Sequence, residues 1–195
     1  MNYLAHARLS FNIPEILVGN VISDFVKGNK KFTYSSGIQK GIALHRAIDR
    51  FTDDHRSSKA ARLFFKPAYR LYAGAFIDVV YDHFLANDTT EFVFPGDLRN
   101  FSRKVYETLE EYLPQLPGDF RYLFSFMKHQ DWLSNYQHRW GIERSFRGLV
   151  NRAAYLTESA TAFMIFNEHY EELKKCYNEF FPEQKQFAAQ VLSNL

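Results

Sequence analysis

Apolar positions along the 195-residue chain recur mostly at helical spacing. Ile16, Leu17, Val21, Ile22 and Phe25 form a stripe that predicts a helix over residues 13–26, with Pro14 near its start and Gly28-Asn29 ending it. Beyond a basic loop at 30–35, Ile38, Ile42, Leu44, Ile48 and Phe51 predict a second helix from Ser36 to Thr52. Asp53 or Asp54 is placed to cap a third helix over 55–65. Pro67 then falls in the first turn of a long helix reaching Ala86. A loop covers 87–97, and helices are expected over 97–112, 119–128, 132–136 and 141–152. A long amphipathic segment spans 155–180, and Pro182 separates it from a final helix. Phe92-Val93-Phe94 is the best strand candidate and is too short to matter. With no repeat, low-complexity tract or linker, the chain reads as one all-α domain over residues 1–195.

Several polar residues interrupt faces that should be buried. His45 and Asp49 lie four apart on the inner side of the second helix, so they share a face. A carboxylate there needs a cation, either a metal or one of Arg46, Arg50 and Arg70. Asp78 and Asp82, with His83 beside them, sit in Ala75–Leu85, a stretch apolar almost all round and therefore central. Two carboxylates on one face of such a helix repel unless a cation lies between them. Asp24 follows an apolar run and is an inward-pointing ligand candidate, while His6 is either a satisfied core histidine or part of the same site. Histidine and carboxylate together bind Mn, Fe or Zn ions that activate water, which makes a metal-dependent hydrolase the leading idea. Phosphate loops of the P-loop type, Gly-x-Ser-x-Gly elbows, dinucleotide fingerprints and His-Glu-x-x-His are absent. The remaining histidines, His55, His129, His138 and His169, are scattered and expected at the surface.

Composition changes the picture in three places. The net charge of +2 conceals a basic stretch over residues 27–70, with 11 Lys/Arg against 3 Asp/Glu. That stretch contains His45 and Asp49, and a positive surface around a site favours an anionic substrate or an acidic partner. The chain has 20 Phe and 12 Tyr, enough either to build a core of large side chains or to line a slot for a long thin substrate arm. Cys176 is the only cysteine, which fits a reducing cytoplasm. The N-terminal residues do not read as a signal peptide, and no apolar run is long enough to span a membrane.

Four segments together are similar to the acyl carrier protein phosphodiesterase family. They are Asn2-x-Leu4-Ala5-His6, Gly19-Asn20-x-x-x-Asp24-Phe25, Gly41-Ile42-x-Leu44-His45-Arg46-x-Ile48-Asp49-x-x-Thr52-Asp53 and Asp78-x-x-x-Asp82-His83-Phe84-Leu85. Trp132-Leu133-x-x-Tyr136 extends the resemblance, which is densest over residues 1–86. It implies an all-α fold related to HD-domain phosphohydrolases in rearranged form, although the adjacent pair here reads Asp82-His83. It also implies a divalent metal, Mn2+ first, with Mg2+, Fe2+ or Zn2+ as alternatives. The implied reaction removes the 4′-phosphopantetheine arm from holo-acyl carrier protein.

On that reading Asp24, His45, Asp49 and Asp78 are the expected metal ligands. Asp82 and His83 complete the shell or handle the attacking water, His6 or His83 protonates the leaving serine oxygen, and Arg46 clamps the phosphate. Lys27, Lys30, Lys31 and Arg56 are the expected contacts to the acidic carrier protein. No nucleic acid or membrane partner is expected, and oligomeric state is left open. Two other readings stand beside this one: a metal phosphohydrolase acting on a nucleotide or other small phosphoester, and a non-catalytic helical binding protein whose acidic residues form structural ion pairs.

Overall fold

A computed structural model describes residues 2–195. Eleven α-helices occur among them: α1 (Tyr3–Arg8), α2 (Pro14–Ile22), α3 (Ser36–Asp54), α4 (Arg56–Tyr69), α5 (Ala73–Ala86), α6 (Asp97–Glu111), α7 (Gly118–His129), α8 (Trp132–Asn135), α9 (Arg139–Arg152), α10 (Ala160–Glu168) and α11 (Tyr170–Ser193). Short 3-10 turns cover Ser23–Phe25, Gly28–Thr33, Arg70–Tyr72 and Leu113–Gln115. No strand forms among the described residues, so the all-α expectation holds. No helix among them is long and apolar enough to cross a membrane.

The nearly all-apolar surface of α5 puts it in the middle: 11 of its 14 residues are buried, and α1, α4, α9 and α11 pack around it. Most of the aromatic residues serve this core. Phe65, Phe76, Phe146 and Phe166 pack edge-on or stacked on one side of α5, and Tyr81, Tyr177 and Phe180 on the other. Each such ring removed from water contributes on the order of 2 kcal/mol.

α2 and α3 approach until their backbones touch. A methyl group at Gly19 would lie 2.1 Å from the Ile38 carbonyl oxygen, and one at Gly41 would lie 2.3 Å from that of Ile16. Glycine is required at both positions because any side chain would drive the helices apart. This seam sets the spacing between Asn20 on α2 and His45 on α3.

Boundaries differ from the sequence expectation where tertiary packing overrides local signals. α1 is an extra helix of only six residues, too short to show a period. α3 runs through Asp53 and Asp54, and the cap of α4 is His55, whose Nδ1 accepts from the Ser57 amide. His55 is therefore buried rather than at the surface. Pro67 lies inside α4, which ends at Arg70 with φ 47°, so the chain turns before α5 begins at Ala73. The expected 155–180 helix is a loop followed by α10 and the start of α11, broken at His169. α11 continues through Pro182 because Phe180, Phe181 and Gln184 are buried around it, offsetting a proline cost of about 3 kcal/mol.

Candidate metal centre

Asn20 organises the site. It is the one polar side chain among the buried residues of α2. Its Nδ2 donates to the His6 carbonyl at 2.8 Å and to Ser10 Oγ at 3.0 Å. Those bonds aim its Oδ1 at His6 Nδ1, 2.7 Å away, while its backbone carbonyl stands 2.7 Å from His45 Nδ1. Both imidazoles thus donate from Nδ1, which leaves each Nε2 to face the same space. The rings stack with centroids 4.0 Å apart and planes within 16°.

Carboxylates meet those nitrogens. His45 Nε2 lies 3.0 Å from Asp49 Oδ2 and 3.2 Å from Asp24 Oδ1. His6 Nε2 lies 3.2 Å from Asp49 Oδ1 but lacks the alignment of a hydrogen bond, so a buried nitrogen is left unsatisfied. A donor atom from each of His6, His45 and Asp49 falls within 4.8 Å of the others. A shared divalent cation fits that donor set and would satisfy the orphaned nitrogen.

Electrostatics point the same way. Burial pulls the His45 imidazole down, but Asp24 and Asp49 outweigh it and hold the ring at about 9. Burial and the adjacent His45 lower His6, with Asp49 opposing. Burial raises Asp49, but the hydrogen bond from His45 and the nearby His6 imidazole carry it well below the usual carboxylate range. Asp24 is lowered chiefly by its hydrogen bond to His45. Without an ion, a proton on His45 fills the place that a cation would take.

His6, His45 and Asp24 line a cavity of about 260 Å³, with Asp78 on α5 and Arg152 at the end of α9 on its other walls. The structure therefore brings Asp24, His45 and Asp78 to one cavity, sets Asp49 against His45 beside it, and adds His6, through a nitrogen placed like a ligand rather than like a proton donor.

Three expected members lie elsewhere. Asp82 is fully buried with its oxygens on α1, accepting from the Leu4 amide at 2.8 Å and the Ala5 amide at 3.2 Å. The Asn2 side chain makes no cap bond to α1, so Asp82 caps that helix from across the fold. The expectation of a cation between Asp78 and Asp82 is corrected: Asp82 turns to the α1 amides instead. Burial is the larger effect on this carboxyl and pushes it up to about 7 despite both amides.

His83 is a satisfied core histidine. Its Nδ1 donates to the Tyr136 carbonyl at 2.7 Å, its Nε2 accepts from the Tyr170 hydroxyl at 3.0 Å, and burial lowers it to about 4. Both ring nitrogens are taken by core partners and His83 does not line the cavity, so the catalytic expectation for His83 fails on geometry. Arg46 is exposed and does not line the cavity; the guanidinium on its wall is that of Arg152.

The basic residues separate into two groups. Lys27, Lys30 and Lys31 lie just beyond Asp24 and Phe25 of the cavity wall. Arg56 lies past the far end of α3, a helix of 19 residues and so about 28 Å long, and is 3.8 Å from Glu183. A single small partner does not need both groups.

The profile of the acyl carrier protein phosphodiesterase family matches residues 1–184. The chain belongs to this family. Acyl carrier protein phosphodiesterases of Yersinia pestis and Klebsiella pneumoniae are each 32% identical to it, over 182 and 188 residues. These matches cover 93% and 96% of this chain, and 94% and 97% of the relatives. The enzyme of Pectobacterium atrosepticum is 30% identical over 188 residues. No solved structure matches the chain. The phosphodiesterase family match extends through the whole cluster and through Arg152.

Two residues of the site escaped the sequence reading of roles. Asn20 carried a signal, as the one amide in Val18-Gly19-Asn20-Val21-Ile22. Arg152 carried none, since nothing in its surroundings distinguishes it from other surface arginines.

Proposed function

We propose that the chain hydrolyses the phosphodiester joining 4′-phosphopantetheine to a serine of holo-acyl carrier protein, releasing apo-carrier protein and 4′-phosphopantetheine. The observation that carries this reading is the convergence of His6 Nε2, His45 Nε2 and Asp49 beside a cavity that Arg152 also lines, in a chain whose relatives bear that enzyme name. His6, His45 and Asp49 would hold a divalent ion, Mn2+ first and Mg2+, Fe2+ or Zn2+ otherwise. When bound, such an ion supplies acidity to water and offsets charge on the phosphoryl oxygens.

The chain's own residues do the rest. Asn20 keeps both histidines in the tautomer that presents Nε2. Arg152 pairs with a non-bridging phosphodiester oxygen through its planar guanidinium. Asp24, whose side chain is 75% exposed, is the carboxylate open to a water and accepts its hydrogen bond. One water is consumed: its oxygen joins phosphorus, the bond from phosphorus to the serine oxygen breaks, and a proton ends on that serine oxygen. Lys27, Lys30 and Lys31 at the cavity edge support docking of an acidic carrier protein, and the single cysteine supports a cytoplasmic setting.

Phosphopantetheine release from purified holo-acyl carrier protein tests this, with Mn2+ or with EDTA. Release should require metal and should fall at least about a thousandfold in His45→Ala and Asp49→Ala. Undiminished release in EDTA, or in Asp49→Ala, would contradict the reading.

A further inference from the structure

A second cavity, of about 100 Å³, opens between α1, α8 and α9. Asn2, Tyr3, Val79 and Arg152 belong to its wall and also to the wall of the first cavity, so the two spaces adjoin. Both tryptophans of the chain, Trp132 and Trp140, line it. They are held before any ligand arrives. Trp132 Nε1 donates to Gln130 Oε1 at 3.0 Å, and Trp140 stacks on His138 at 5.3 Å with the Arg144 guanidinium over its ring. The α9 side is low because Gly141, Ser145 and Gly148 are small. From Gly141 to Arg152 this wall is about 16 Å long, far more than a phosphate group needs.

Gly148 is the informative position. It lies mid-helix, where glycine costs about 0.5–1 kcal/mol relative to alanine. No close approach explains it, because an added Cβ would meet nothing within 4 Å. The space that a side chain would take is the space of the cavity.

Resting on the reaction above, we infer that this second cavity seats the pantetheine arm of the substrate, with Arg152 at the junction holding the phosphodiester over the metal cluster. The arm is narrow, with methylene and gem-dimethyl segments broken by two amides and a hydroxyl. Aromatic walls cover the apolar segments, and Asn2, Gln130 and Asn135 bring amide side chains to the same lining. The cavity accounts for recognition of the arm; the metal cluster accounts for cutting it.

Because Trp132 and Trp140 are the only tryptophans, their emission reports on this cavity alone. The experiment titrates free pantetheine, which lacks the phosphate, into the full chain and into Gly148→Phe and Trp140→Leu variants. Mn2+ affinity and melting temperature are measured alongside. Expected are a saturable emission change in the unmodified chain, at least tenfold weaker binding in Gly148→Phe, and a tenfold higher KM for holo-acyl carrier protein in both variants with Mn2+ affinity retained. Absence of a pantetheine response in the unmodified chain, or an unchanged KM in a folded Gly148→Phe, overturns the assignment. Loss of the parent reading looks different: the unmodified chain would then fail to cleave holo-carrier protein at all, while the emission titration would still decide what the cavity binds.

Discussion

Removing the Asp82 carboxylate separates a structural role from a chemical one. Its oxygens take the Leu4 and Ala5 amides at the start of α1, and its side chain is wholly buried. Asp82→Ala would strand two amides in a dry site, at about 1–3 kcal/mol each, less the relief of no longer burying a carboxylate. A net loss of about 3 kcal/mol is expected, which for a chain of this size lowers Tm by roughly 6–12 °C. Asp82→Asn keeps one acceptor but turns an NH2 group toward the other amide, so it should fall between alanine and the parent chain. His6 lies one residue past Ala5 on the same short helix, so both variants should also weaken Mn2+ binding in proportion to their loss of stability. Denaturant unfolding and metal titration on the parent and both variants provide the assay. If Asp82→Asn unfolded at the parent midpoint yet lost activity a thousandfold, Asp82 would be a chemical participant and the capping account would be wrong.

Other outcomes follow from the same contacts. His83 stays neutral in the fold down to about pH 4, whereas an unfolded histidine protonates near 6.5. Its contribution to stability is therefore full above pH 6.5 and is lost as pH falls toward 4, about 3 kcal/mol in all, so unfolding curves for His83→Gln should show a flatter acid limb. Gly41→Ala places a methyl against the Ile16 carbonyl and should cost about 1–3 kcal/mol while pulling His45 away from Asn20; lowered Mn2+ affinity in calorimetry would show it. Replacing Lys27, Lys30 and Lys31 with Gln should raise KM for the carrier protein severalfold at low salt and remove most of its salt dependence, whereas Arg56→Gln should do neither.

The legibility of the fold and site followed sequence distance. His45 and Asp49 were readable as a pair because helical spacing alone puts them on one face, and α3 is long enough to show its period. The same rule misled at Asp78 and Asp82. Both are four apart on α5, but α1, a six-residue helix with no visible pattern, takes Asp82 for its own amides. His6 was visible as a polar residue near apolar ones, but its ligand-like placement depends on Asn20 from another helix. Arg46 is the phosphate clamp expected from the sequence, but the fold turns it outward and brings Arg152 to the cavity from α9. The break at Arg70 was hidden because Pro67 signals the start of a helix as readily as its last turn.

The position of Asn20 also bears on how the molecule is made. Its bonds reach back 14 residues to His6 and forward 25 to His45. Loops that short close cheaply and early, whereas the wall of the second cavity arrives only with α8 and α9, about a hundred residues later. A chain still emerging from the ribosome thus carries His6, His45 and Asp49 long before α8 and α9 supply the wall of the second cavity. On the proposed reading, metal uptake and substrate competence would be separate events in its maturation, and an ion captured first would act as a staple around which the later helices assemble.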